Sequence, residues 1–182
     1  MEKTWRQNLW EIVKFVAIVL LIVIPFRIFI AQPFIVSGES MVPTFQDKEY
    51  LIVDELSYYL RSPARGEVII FKYPKNPKVY YIKRIVGLPG ETVTIRNNQV
   101  FVQSSDSVEE AVTWANVDNE TKPIENAAPV TLGPDQYFVM GDNRTASSDS
   151  RYWGTLPRNL ITGRAFIRLF PFGRVGINPG SV

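Results

Sequence analysis

Val79-Tyr80-Tyr81-Ile82-Lys83-Arg84-Ile85-Val86 is apolar over most of its length, yet it carries two adjacent cations. Its β-branched and aromatic content predicts a strand, in which successive side chains point to opposite faces. Lys83 then shares a face with Tyr81 and Ile85, and Arg84 shares the other with Tyr80, Ile82 and Val86. At least one cation must meet an apolar layer. Burial penalises an ammonium and lowers its pKa, whereas a guanidinium stays charged and needs a carboxylate. Two outcomes stay open for Lys83: a partly desolvated base, or a charge pointing to solvent from an edge strand.

Similar short runs recur on both sides between Gly, Pro, Asn and Asp punctuation: Tyr50 to Val53, Glu67 to Phe71, Thr92 to Arg96, Val100 to Val102, Gln136 to Met140 and Arg164 to Leu169. Thr92 to Val102 reads as a hairpin closed at Asn97-Asn98, residues that tolerate positive φ. The fold class is therefore mainly β. Between Gln103 and Pro134 the chain turns polar and loses periodicity, apart from an apolar island at Val112 and Trp114. Residues 103–134 are expected to form an inserted smaller lobe or loop between two parts of the main β domain, 32–102 and 135–182.

Residues 12–31, IVKFVAIVLLIVIPFRIFIA, are long enough to cross a bilayer core of roughly 30 Å as a helix. Lys14 and Arg27 sit near the ends of this run, where their heads can snorkel to the interface, and Trp5 and Trp10 suit the headgroup belt. A cleaved signal peptide would want a shorter apolar core and small residues at both −3 and −1, and Phe29 and Ala31 offer only one of these. The reading is a retained single-pass anchor in a cell membrane. Lys3, Arg6 and Lys14 assign residues 1–11 to the cytoplasm and the β domain to the extracytoplasmic side.

Composition excludes several chemistries. With no His and no Cys among 182 residues, a Ser-His-Asp triad, a Cys-His pair, the usual Cys/His zinc sites and any disulfide framework are ruled out. Twenty basic residues interspersed with 18 acidic ones give a charge of +2, which argues against a nucleic-acid partner.

Directly after the apolar run, Ser37-Gly38-Glu39-Ser40-Met41-Val42-Pro43-Thr44 is polar and sharply turned. Ser40 is the candidate nucleophile, and a serine hydroxyl needs a base to take its proton. Lys83, if desolvated, is a base of the required kind. Ser40 lies nine residues past Ala31, within roughly 30 Å of the membrane exit even when extended. A third polar cluster, Gly141 to Arg151, holds Asp142, Arg144, Ser147, Asp149 and Arg151. Alone it reads as an Asx-rich surface loop. Its alternating arginines offset the charge that a metal or a glycosidase carboxylate pair would use.

Four ordered boxes now stand together: Ser-Met-x-Pro-Thr at 40–44, Arg-Gly-Glu-Val-Ile-Ile-Phe at 65–71, Tyr-Tyr-Ile-Lys-Arg-Ile-Val-Gly-Leu-Pro-Gly-Glu at 80–91, and Gly-Asp-Asn-Arg-x-x-Ser-x-Asp-Ser-Arg at 141–151. With the amino-terminal anchor, they resemble the bacterial type I signal peptidases, membrane-bound Ser-Lys endopeptidases that remove signal peptides from exported preproteins. The resemblance covers nearly all of the chain except the insert. It implies an antiparallel β-sheet fold with one amino-terminal transmembrane helix and a small inserted β lobe, and no metal or other cofactor.

Carried over by position, the resemblance implies Ser40 as nucleophile and Lys83 as general base. Ser147 would hydrogen-bond the lysine, Asp142, Arg144, Asp149 and Arg151 would form supporting ion pairs, and Met41 would line the substrate groove. The Ser40 N–H would be one oxyanion donor. Some members supply a second from a hydroxyl two residues earlier, where this chain has Gly38, leaving Ser37, a backbone N–H or water for that role. Implied substrates carry small residues at −3 and −1 and bind as an added strand, with isoleucines and valines of the early strands lining the pockets. Two rivals are another Ser-Lys protease of the same fold, such as a self-cleaving repressor or a mitochondrial inner-membrane peptidase, and a catalytically silent membrane-tethered scaffold. The anchor disfavours a repressor, and the presence of Ser40 and Lys83 disfavours the scaffold.

Overall fold

The computed structural model describes residues 5–29, 32–97, 99–104, 107–114 and 127–181. Helix α1 (Trp5–Phe29) leads into β1 (Gln32–Ile35), followed by β2 (Tyr50–Asp54), α2 (Ser57–Leu60), β3 (Val68–Tyr73), β4 (Asn76–Gly87), β5 (Thr92–Arg96), β6 (Gln99–Gln103), β7 (Glu110–Val112), β8 (Ala127–Thr131) and β9 (Gln136–Met140). The remaining elements are α3 (Ser150–Trp153), β10 (Leu156–Pro157), β11 (Ile161–Phe170) and β12 (Gly176–Ile177).

The larger sheet has the order β1-β2-β11-β3-β4-β9-β10, with β12 added to β11, and the smaller has the order β7-β6-β5-β8. All pairings are antiparallel. Every sequence-predicted strand is present to within a few residues. The short strands β1, β7, β8, β10 and β12 were not anticipated; β10 and β12 have two residues each, too few for a periodic pattern.

Alternation explains the core. Leu51 and Val53 of β2, Val68 and Ile70 of β3 and Ala165 of β11 point to one side with Val36, Met41 and Phe45. Ile69 and Phe71 of β3 point to the other with Ile85, Val139 and Leu156. Each of these apart from Ala165 contributes about 1.5–3 kcal/mol when fully buried. The smaller sheet buries Val93, Ile95, Val100 and Val102 against Val86, Leu132, Phe138 and Met140, with Val112 and Trp114 packed on that layer. It therefore starts at Thr92 and takes in the whole predicted hairpin, because the inward face of that hairpin completes a core with the end of β4. Asn97 has φ +50° at the hairpin turn, while Asn98 lies outside the described residues. So do residues 105–106 and 115–126 of the expected insert.

Helix α1 stands apart from these cores. Its large apolar side chains are exposed all round between Trp5 and Leu21, from Val19 at 38% to Leu21 at 75%. Among the described residues, no helix is both long and apolar enough to cross a membrane. Residues 30 and 31 of the apolar run, and the side chains of residues 22–29, lie outside those described.

Candidate active site

Strand β4 changes surroundings along its length. It pairs with β3 from Lys72↔Tyr80 through Val68↔Arg84, but with β9 only from Arg84↔Met140 to Gly87↔Phe138. Before Arg84, its second edge is not covered by β9. Facing it is β1, whose single sheet partner is β2. The two edges bound a groove of about 360 Å³, lined on one side by residues 34–40 and on the other by residues 79–83. Val36, Leu51, Ile70 and Ile82 supply apolar lining, and Phe34 meets Tyr80 edge-to-face at 5.3 Å between ring centroids.

Ser40 and Lys83 come together in this groove. Lys83 Nζ lies 2.6 Å from Ser40 Oγ and donates to the Ile82 carbonyl at 2.9 Å. The lysine is 4% exposed, with Nζ 5.3 Å from the centre of the Tyr81 ring. Burial pulls its pKa down from 10.5 to about 8, against the upward pull of Asp149 and Asp142, with Arg151 adding a smaller downward push. No carboxylate forms an ion pair with it among the described residues.

Asp142 and Asp149 are committed to arginines. Asp142 accepts from Arg84 Nε at 2.8 Å and Nη2 at 2.6 Å, and from the Thr44 hydroxyl at 2.5 Å. Arg84 Nη1 donates to the carbonyls of Gly66 at 2.7 Å and Gly180 at 2.6 Å. Asp149 accepts from Arg151 Nε and Nη2, both at 2.8 Å, and from the Gly141 N–H at 3.0 Å. Among the described residues, no three acidic side chains gather as a metal site.

The other expected residues divide. Arg144 is buried, and burial pulls its pKa down to about 10. It joins the cluster through its carbonyl, which accepts from Arg151 Nη2 at 2.7 Å, while its Nε meets no partner among the described residues. Ser147 is 6% exposed and its Oγ has no hydrogen-bond partner among the described residues; Lys83 Nζ bonds Ser40 and Ile82 instead. Met41 does not line the groove. It is 1% exposed and sits in the core beneath the loop with Val36 and Phe45, because the turn after Ser40 directs it inward. Gly38 has φ +88°, a backbone that disfavours any side chain, and its N–H is taken by Asp47 Oδ1 at 2.9 Å. Ser37 is exposed on the groove wall.

Several supporting residues escaped the sequence reading. Asn143 donates its N–H to the Ser40 carbonyl at 3.1 Å, fixing the serine to the Gly141–Arg151 loop. A Cβ on Gly141 would overlap both that carbonyl oxygen and the Ser147 hydroxyl, so only glycine fits there. Behind the loop, Glu49 is 1% exposed and pairs with Arg168 at 3.0 Å and Arg174 at 2.9 Å. Arg168 Nη2 donates to the Thr44 carbonyl at 2.7 Å. Thr44 and Gly141 lie inside the quoted boxes, so their positions were visible but their contacts were not; the Glu49 cluster joins residues more than 100 apart and left no local signal.

A family model described as signal peptidase, peptidase S26, matches residues 9–170. A probable signal peptidase I-2 from Synechocystis sp. is 37% identical over 177 residues, covering 94% of this chain and 78% of that protein. Signal peptidase I P from Bacillus subtilis subsp. natto is 33% identical over 178 residues, covering 96% of each. A crystal structure of a signal peptidase I from Enterococcus faecalis aligns at 28% identity and a TM-score of 0.47, covering 57% of this chain and 97% of that one.

Proposed function

The chain belongs to the signal peptidase family, peptidase S26, and from that premise we propose that it is a membrane-anchored serine endopeptidase that cleaves signal peptides from preproteins through Ser40 and Lys83. The observation that carries the assignment of roles is the 2.6 Å approach of Lys83 Nζ to Ser40 Oγ inside the groove between β1 and β4. With its pKa near 8, a useful fraction of the lysine is neutral at mildly alkaline pH. The neutral amine takes the Ser40 proton as Oγ attacks the scissile carbonyl. The resulting ammonium protonates the leaving amine, and water activated by the same lysine releases the acyl chain.

The neutral amine has one lone pair and two N–H groups. Ser40 uses the lone pair and the Ile82 carbonyl one N–H. Ser147 is assigned the remaining N–H, since its buried hydroxyl otherwise lacks a partner. The Ser40 N–H is one oxyanion donor, and the Ser37 hydroxyl or water is the second, because the Gly38 N–H already serves Asp47.

Substrate binds as an extended strand between the facing edges of β1 and β4, sending the −1 and −3 side chains toward Val36, Leu51, Ile70 and Ile82. The shallow space there favours small residues. Residues 12–31 span the bilayer as a signal anchor, an assignment supported by their length in sequence and by the apolar girdle of α1. The amino terminus is cytoplasmic and the β domain extracytoplasmic.

The test is cleavage of a preprotein with Ala at −3 and −1 by the full-length chain in lipid. The wild type is expected to cut after −1, and Ser40→Ala and Lys83→Ala to leave the preprotein intact while melting as folded proteins. Normal processing by Ser40→Ala would falsify this reading.

A further inference from the structure

Among the described side chains lining the groove, only those of Glu39 and Lys83 carry charge, and Lys83 is buried. Glu39 is exposed at the rim, immediately before Ser40, and its carboxylate has no hydrogen-bond or ion-pair partner among the described residues. Its backbone is held in place. The Val42 N–H donates to the Glu39 carbonyl at 3.1 Å, and the preceding Gly38 is fixed through Asp47 at 2.9 Å. The loop thus presents a free carboxylate beside the nucleophile, in a groove whose other accessible walls are neutral.

A strand lying in this groove sends −1 and −3 to the floor and −2 outward, because side chains alternate. The residue at +1 is the first beyond the bond that Ser40 attacks. These two side chains come nearest the rim carboxylate. Accordingly, we propose that Glu39 is a specificity-determining residue that favours basic and disfavours acidic side chains at −2 and +1 of the substrate. The inference rests on Ser40 being the nucleophile, since that sets which substrate positions lie beside Glu39.

The experiment compares peptides with Ala at −1 and −3 that carry Lys, Gln or Glu at −2 or at +1. One arm measures kcat/KM on the full-length enzyme, and the other measures Kd on the Ser40→Ala protein, which reads charge preference without chemistry. An exposed pair is screened, so the Lys-over-Glu ratio is expected to be about 3- to 10-fold at low salt and to shrink near 1 M salt, where the Debye length is about 3 Å. Glu39→Gln should reduce the ratio and Glu39→Lys should reverse it in both arms. A ratio that neither substitution changes in the binding arm overturns the proposal. If the wild type cuts none of the peptides, the assignment of Ser40 and Lys83 fails, and the binding arm still decides the role of Glu39.

Discussion

Lys83 and Arg84 are neighbours on one strand and are buried to nearly the same degree, at 4% and 1% exposure, but their surroundings differ completely. Arg84 has a bidentate carboxylate and two carbonyls, whereas Lys83 has one hydroxyl and one carbonyl. Burial alone therefore does not separate a structural cation from a reactive one; the number of partners does. A satisfied guanidinium holds its proton and ties β4 to the loop after β9. An undersupplied ammonium has reason to release its proton.

The largest expected effect exchanges these characters. Lys83→Arg installs a group that cannot give up its proton, so preprotein cleavage should fall by on the order of 10⁴-fold or more, even though positive charge is kept. Residual activity within tenfold of wild type would mean that the charge, and not the base, is what the site needs.

Next in size is Gly141→Ala, which leaves both cations untouched. The added methyl must displace the Ser40 carbonyl or Ser147, moving Ser40 relative to Lys83. A misplacement of that order costs about 10²-fold in rate. The loss should fall on kcat, measured against a folded-fraction control, with KM changing less.

How far the sequence revealed all this depends on the range of the contact. The strand, its two cations and the Ser37–Thr44 turn were legible because alternation, β-branching and turn chemistry are local. Which way Lys83 points was not legible. That depends on β9 ending its pairing at Arg84 and on β1 lying across the gap, both long-range facts. Met41 shows the reverse case: the family resemblance implied a groove residue, but the turn after Ser40 sends it into the core. The clamp of Glu49, Arg168 and Arg174 on the back of the loop had no sequence signal, since three isolated charges, only Arg168 of them on a strand, read as surface.

On the Arg84 side, Asp142→Asn removes the charge that compensates a fully buried guanidinium. Breaking such a pair by removing one partner costs about 3–5 kcal/mol. Urea unfolding should show that loss through a lower midpoint at unchanged slope. The paired replacement Arg84→Met with Asp142→Leu should recover part of it, because no uncompensated charge then remains buried. If Asp142→Asn alone is neutral, Arg84 is not the strut its contacts imply.

The smallest effect tests Lys83 through stability. Its folded pKa, about 8, lies below the ordinary 10.5. Between those values the unfolded chain holds a proton that the folded chain has released, so stability should rise with pH across that window. Below about 8 both states are protonated and the folded state bears the cost of a buried ammonium; above 10.5 neither is. The total gain is about 3 kcal/mol, spread over the window at no more than about 1.4 kcal/mol per pH unit. The quantity to read is the difference between wild type and Lys83→Met, which removes the lysine's share of the slope. Cleavage by the wild type should climb through the lower end of this window, as the same proton leaves. A rate that climbs near pH 8 while the two proteins keep identical stability slopes would assign the titration to another group, and the contrast between Lys83 and Arg84 would lose its chemical half.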